Sequence, residues 1–170
     1  MLSIVILLCD KDAHLLPNIL GDIEKFVLCN HEIILVDNRS SPNIEQLQSQ
    51  YPNVKAYTKG YNCYAFEGRR FGFYKTTGDF IWNIDVDDNL LDYITEDDLQ
   101  DFDLLQMGYT ANHGYYSKLK PIKLKASYNL DFLGRNVWSR IFSRKIVEKA
   151  YAVIDKEYLI FNWDDLILLF

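Results

Sequence analysis

Asp85, Asp87 and Asp88 put three carboxylates into four positions, directly after the apolar run Phe80-Ile81-Trp82-Asn83-Ile84. Oxygen ligands with no His or Cys among them suit a hard divalent cation, Mg²⁺ or Mn²⁺, better than zinc. In a regular strand Asp85 and Asp87 would share a face, and such a pair repels unless a cation or hydrogen bonds offset it. The competing reading is structural: Asp87, Asp88 and Asn89 simply form the turn that follows the strand. Two further sets of residues invite chemistry. Asp37 closes the run Glu32-Ile33-Ile34-Leu35-Val36 and opens the loop Asn38-Arg39-Ser40-Ser41-Pro42, while Asp164 and Asp165 precede the apolar end Leu166 to Phe170. Asp37 could merely cap a turn with Ser40, and Asp164 could merely cap the last helix.

For these acids to act together, strands must end at one edge. Ser3 to Leu8 is a continuous branched apolar run, as expected of a central parallel strand, and Cys9-Asp10-Lys11-Asp12 is the loop at its carboxyl end. Leu15, Leu16, Ile19, Leu20, Ile23, Phe26 and Val27 recur at helical spacing and predict a helix from about Ala13 to Cys29, with Pro17 in its first turn. Glu32 to Val36 is the second strand, Asn43 to Tyr51 a short helix and Asn53 to Thr58 the third strand. After the turn Lys59-Gly60-Tyr61-Asn62, Ala65 to Thr76 reads as a helix carrying Arg69 and Arg70, and Asp79 to Ile84 is the fourth strand. The alternation predicts an α/β, Rossmann-like, mostly parallel sheet flanked by helices, with ligands bound at the carboxyl edge. No Gly-x-Gly-x-x-Gly and no Walker lysine loop follows any strand, which disfavours dinucleotide and P-loop enzymes.

The second half is less regular. Thr95-Glu96-Asp97-Asp98 has the form of a capping box at a helix start. Asp103 to Tyr109 resembles a strand, Tyr115 to Lys125 a hairpin-like segment, and Arg135 to Tyr151 a helix. Tyr158 to Phe161 leads into a final helix after Asn162-Trp163-Asp164-Asp165. That helix stops after barely one turn, which predicts a chain that is truncated or naturally short.

With 170 residues the chain has the length of one domain, and 49% hydrophobic with 25% charged residues suits a soluble globular protein. A net charge of -6 supplies no basic face for nucleic acid. The charge is segregated by sign: Asp85 to Asp103 holds nine acids and no Lys or Arg, whereas Lys118 to Lys149 is basic. Such a basic patch suits peripheral contact with an anionic membrane, or simply a solvated helix face. Cys9, Cys29 and Cys63 have no metal spacing and cannot all pair, so reduced thiols in a cytoplasmic protein are expected. The apolar N-terminus is too short for a signal peptide or a spanning helix.

The order of these pieces resembles the family 2 glycosyltransferases, which have the GT-A fold. Glu32-Ile33-Ile34-Leu35-Val36-Asp37-Asn38-Arg39-Ser40 is similar to the family's strand and loop "EIIVVD-(D/N)-x-S". Arg69-Arg70-Phe71-Gly72 followed by Gly78-Asp79-Phe80-Ile81 is similar to "RNxG…GEYI", with Arg70 where Asn is usual. Asp85-Val86-Asp87-Asp88 matches "DxDD". Val137-Trp138-Ser139-Arg140-Ile141-Phe142-Ser143-Arg144 and the later Trp163-Asp164-Asp165 are similar to "W-x-K-L-(F/Y)-x-R" and "ED". The likeness spans essentially the whole chain as a single domain, with 1–88 as a nucleotide-sugar donor half and 89–170 as an acceptor-side half that is expected to be incomplete.

The resemblance implies a transferase that moves a sugar from a nucleoside-diphosphate sugar, a UDP-sugar first among them, to a hydroxyl on a sugar or glycan of the kind built in polysaccharide biosynthesis. Carried over, Asp37 would bond the base, Arg69 would lie near base and diphosphate, and Cys9 and Asp10 would stand where residues approach the base. Asp85 and Asp87, with Asp88 as the remaining candidate, would hold the ribose hydroxyls and a Mn²⁺ or Mg²⁺ bridging the diphosphate. Asp165, with Asp164 beside it, would be the general base. A single base with no second nucleophile fits one-step inverting displacement. The alternatives are a non-catalytic nucleotide-sugar-binding domain and, from another class, a nucleotidyltransferase.

Overall fold

The computed structural model describes residues 1–39, 41–107, 109–110, 116–117, 122–124 and 140–154. Strand β1 (Leu2–Leu8) leads through a 3-10 helix (Asp10–Leu15) into α1 (Leu16–Phe26), then β2 (His31–Asp37), α2 (Ile44–Gln50), β3 (Val54–Tyr57), α3 (Tyr64–Phe73) and β4 (Phe80–Asp85). The remainder is β5 (Leu104–Gln106), β6 (Tyr109–Thr110), β7 (Tyr116–Ser117), β8 (Ile122–Leu124), β9 (Arg140–Ser143) and α4 (Arg144–Ile154). One sheet has the order β3-β2-β1-β4-β9-β5-β8, and β6 pairs with β7 separately. β3, β2, β1 and β4 run parallel, as the alternation of strands and helices predicts, whereas β9, β5 and β8 join antiparallel.

The two faces of the sheet are filled by alternate residues. Ile4, Ile6, Leu35, Trp82 and Ile84 pack with Leu16, Ile19 and Ile23 of α1 and Leu47 of α2. Val5, Leu7, Ile34, Val36 and Ile81 pack on the other side with Phe73 of α3 and Val147, Ala150 and Tyr151 of α4. β1 is buried along its whole length, which explains why its sequence is an unbroken apolar run and not an alternating one. Close approach of α3 to the sheet depends on glycine. A Cβ at Gly72 would meet Val5 Cγ1 at 2.5 Å and Val36 Cγ2 at 2.9 Å.

The amino-terminal edge of the sheet is fastened by Glu32. Its Oε1 accepts from Ser3 Oγ (2.7 Å), Thr77 N (2.5 Å) and Thr77 Oγ1 (2.9 Å), and its Oε2 accepts from Lys55 Nζ (2.7 Å). One carboxylate thus ties β2 to β1, to β3 and to the approach to β4. Burial alone would raise this carboxyl, but the Lys55 ammonium and the Thr77 and Ser3 donors outweigh it and hold it down at about 2. Ser3 Oγ in turn accepts from Gly78 N at 2.8 Å.

Four sequence expectations are corrected. Residues 140–143, expected within a helix from Arg135, form β9; Ile141 and Phe142 pack on opposite faces of the sheet, so a period of two prevails over the helical pattern there. The helix resumes only at Arg144, and 135–139 lie outside the described residues. Thr95 does hydrogen-bond Asp98 through both its N and Oγ1, yet a turn follows and no helix, and Glu96 instead accepts from Asn30 N. The helix expected over Ala13–Cys29 begins as a 3-10 segment and ends at Phe26. The strand expected over Asp103–Tyr109 is broken into β5 and β6, which lie in different sheets.

Candidate functional site

Register brings the acids of β2 and β4 to one edge. Leu7 of β1 lies beside Asp85 and Leu8 beside Asp37, so an Asp ends the strand on each side of β1. Asp37 and Asp85 are the last residues of parallel strands, so this is the carboxyl edge, where open α/β sheets bind ligands. Cys9, the residue after β1, stands between them just before the 3-10 helix, and Asp10 is exposed just beyond it. Burial raises the Cys9 thiol, the Asp12 and Asp85 charges raise it further, and Lys11 and Arg69 pull it down.

Asp37 and Asp85 differ in what surrounds them. Asp37 is buried, and both its oxygens are engaged by its own loop. Arg39 donates from Nε to Oδ1 (2.8 Å) and from Nη2 to Oδ2 (2.7 Å), with Arg39 N (3.2 Å) and Asn43 N (3.2 Å) completing the set. This paired fork organises the loop between β2 and α2. The turn-capping alternative therefore has Arg39 and Asn43 as partners.

Asp85 receives Arg69 instead. The Arg69 Nη2 donates to Asp85 Oδ1, an ion pair that links the middle of α3 to the tip of β4. Arg69 is largely buried and Asp85 about one-third exposed, at 33%. Strand β4 stops at Asp85; Val86 and Asp87 turn away, so Asp85 and Asp87 do not share a strand face as the sequence spacing suggested. Asp88 folds back, its Oδ2 accepting from Asp85 N at 2.9 Å. Burial pushes the Asp88 carboxyl up to about 7, and the Asp85 and Asp87 charges add to this against the Asp85 N–H and Arg69. Asp87 is exposed. Among the described residues no three His, Cys, Asp or Glu side chains group as a metal site. The donor set is nonetheless all oxygen, and its crowded negative charge is of the kind a divalent cation offsets.

Sequence reading left one part of this edge without a role. Asn38 N donates to Leu8 O (2.9 Å), and the Asn38 side chain spans to the start of α3. Its Oδ1 accepts from Cys63 N (2.8 Å) and Cys63 Sγ (3.2 Å), and its Nδ2 donates to Asn62 Oδ1 (3.3 Å). The turn chemistry of Tyr61-Asn62 was the available signal, but nothing in the sequence showed that its partner lies at residue 38. The structure therefore gathers Cys9, Asn38, Arg69, Asp85 and Asp88 around the ends of β1, β2 and β4. Asp37 turns to the α2 side, and Asp164 and Asp165 lie outside the described residues.

Comparison with known proteins bears on the fold. The chain is similar in structure to S. aureus TarS 1-349, with a TM-score of 0.68 at 15% identity, over 99% of this chain and 53% of that one. The same protein in complex with UDP-GlcNAc gives 0.67 at 15% identity, over 99% and 52%. The apo-form glycosyltransferase GlyE of Streptococcus pneumoniae TIGR4 gives 0.53 at 13% identity, over 98% and 41%. The chain thus spans about half the length, or less, of these structures, and at such identities the likeness speaks for the GT-A fold. No curated protein matches it. The profile described as Glycosyl transferase family 2 matches residues 3–102, more than half of the chain, and the protein belongs to that family.

Proposed function

We propose that this chain transfers a sugar from a nucleoside diphosphate to a hydroxyl acceptor, with UDP as the carrier. The observation that carries the reading is the Arg69–Asp85 pair at the tip of β4, with the half-buried Asp88 folded back onto Asp85: a cation and clustered acids at the carboxyl edge of a parallel sheet. The solved TarS complexes with UDP and UDP-GlcNAc support a UDP-sugar as donor.

In this reading Arg69 offers its guanidinium to the diphosphate, and Asp85, released from it, accepts from the ribose hydroxyls. Asp87 and Asp85, with Asp88 behind them, would hold Mn²⁺ or Mg²⁺, which when bound acts as a Lewis acid toward the departing diphosphate. The acceptor oxygen attacks the anomeric carbon while the bond from that carbon to the diphosphate oxygen breaks, and the electron pair leaves with the diphosphate. Asp165, beside Asp164, takes the acceptor's proton. With one base and no protein nucleophile, the displacement is a single inverting step. Unpaired Cys9, Cys29 and Cys63 support a reducing, cytoplasmic setting.

Calorimetric titration with UDP, with and without Mn²⁺, tests the donor half of the reading. Absence of binding in both would overturn it. Asp165→Asn tests the rest: donor binding persists and transfer is lost, whereas a variant that transfers as well as the parent removes Asp165 from the mechanism.

A further inference from the structure

β3 (Val54–Tyr57) is the outermost strand at one end of the large sheet and pairs there with β2 alone. Successive residues of a strand send their backbone groups to opposite sides, so half of those in β3 face away from β2. Those of Val54 and Ala56 are met from outside the sheet. Val54 N donates to Tyr51 O at 3.0 Å. Gln48 of α2 takes the next two: its Nε2 donates to Val54 O at 2.8 Å, and its Oε1 accepts from Ala56 N at 3.3 Å. The same Nε2 also lies 3.5 Å from Pro52 O.

This is the bonding of a further parallel strand. A residue paired in parallel with Lys55 would donate to the carbonyl before it and accept from the N–H after it. The Gln48 carboxamide does both, and so stands where the next strand's peptide groups would lie. Leu47 explains the reach. It is buried in one cluster with Val54 and Ala56, which sets α2 against that face of the sheet, and Gln48, the following residue, is carried to the rim. Gln48 is exposed. Two hydrogen bonds that water could replace add little to stability, and fixing a long side chain opposes them. Closure of the edge is the larger consequence, because an open edge strand recruits another. Pro52 just before β3 and the half-exposed Lys55 within it act in the same sense.

We propose that Gln48 guards the sheet by mimicking a neighbouring strand, and that β3, once uncovered, is the surface through which two copies of this chain pair. The second copy is the fitting occupant: two β3 edges related by a two-fold axis meet antiparallel and are self-complementary. The sugar-transfer reading is not needed for this inference.

The test is sedimentation velocity over a range of concentrations, alongside thermal melting, on the parent, Gln48→Ala and Gln48→Met. Methionine keeps the side-chain length and a similar helix propensity without the amide. Both variants are expected to melt within a few degrees of the parent. With rising concentration their mass is expected to climb from that of one chain toward that of two, while the parent's does not. Adding Ala56→Pro removes an outward N–H and leaves the ladder with β2 in place, so each double variant should sediment as the parent does. The guard is overturned if both Gln48 variants sediment as the parent at every concentration, or if their association survives Ala56→Pro. It is equally overturned if neither variant folds, since the amide then holds the fold itself, or if the parent pairs and Ala56→Pro abolishes that pairing.

Discussion

Arg69, in the middle of α3, and Asp85, the last residue of β4, form an ion pair across 16 residues of sequence. The pair joins the helix that crosses from β3 to the strand it leads into, at the edge where the donor is proposed to bind. Removing one member of a largely buried pair leaves the other uncompensated. Arg69→Ala is expected to lose about 2 kcal/mol of stability, less than a fully buried pair because Asp85 is partly solvated. It should also weaken UDP binding at least tenfold, since the guanidinium is the proposed diphosphate contact. Arg69→Lys restores the charge without the planar fork and recovers only part of either loss. Denaturant unfolding and UDP titration of the two variants measure both effects.

Gly68 and Gly72 lie one turn apart on the face of α3 that meets the sheet, yet they should respond differently to alanine. At Gly72 a methyl group meets Val5 Cγ1 at 2.5 Å and Val36 Cγ2 at 2.9 Å, both on β-branched residues of buried strands. Neither side chain has a free rotamer to yield with. Gly72→Ala should therefore lift α3, cost about 1–3 kcal/mol and weaken UDP binding through the displaced Arg69. At Gly68 the contact is the far end of the Leu7 side chain, which can swing aside, and alanine favours the helix by about 1 kcal/mol. Gly68→Ala should be near neutral in the same thermal melts.

Glu32 predicts an acid limb in stability. Its carboxyl, raised by burial but lowered more by Lys55, Thr77 and Ser3, sits at about 2 in the folded chain, against 4.5 as its ordinary value. A depressed folded value means stability that is complete above the ordinary value and is lost as pH falls through the folded one. The window is therefore from about pH 4.5 down to about 2, and the amount is on the order of 2–3 kcal/mol after allowing for the exposed Lys55. Glu32→Gln should melt lower at neutral pH and show a flatter decline across that window. An unchanged acid limb would count against Glu32 as its source.

The parallel half of the sheet was legible because its signals are local and mutually consistent. The unbroken apolar run of β1 and the spacing of α1, with Leu16, Ile19 and Ile23 facing the core, each match one period only. Arg140 to Ser143 was not legible: Ile141 and Phe142 fit a helical stripe running on into Ile146 and Val147, and only pairing with Ile81, Trp82, Leu104 and Leu105 selects a strand. Thr95 shows the limit of motif reading, since its bonds to Asp98 form as a capping box would, without a helix to cap. At the site, the acids could be found from their spacing after strands, but not their partners. That Asp37 is spent on Arg39 while Asp85 takes Arg69 follows from which face each strand end presents.

The β4 acids separate a structural from a ligand-binding role at Asp88. Its carboxyl is desolvated beside two other acids and is pushed up to about 7, so ionising it near neutral pH is costly. Asp88→Asn keeps an oxygen able to accept from Asp85 N, the bond that shapes the turn. In metal-free buffer this variant should melt at the parent's temperature or slightly above it, because a repulsive charge has been removed. Added Mn²⁺ should raise the parent's melting temperature by mass action, and the same addition should raise that of Asp88→Asn by much less. Asp87→Asn, whose side chain is exposed, should leave the metal-free melting temperature unchanged and likewise diminish the Mn²⁺ increment. If the parent shows no Mn²⁺ increment with UDP present, the acids serve the turn alone and metal-assisted departure of the diphosphate is excluded.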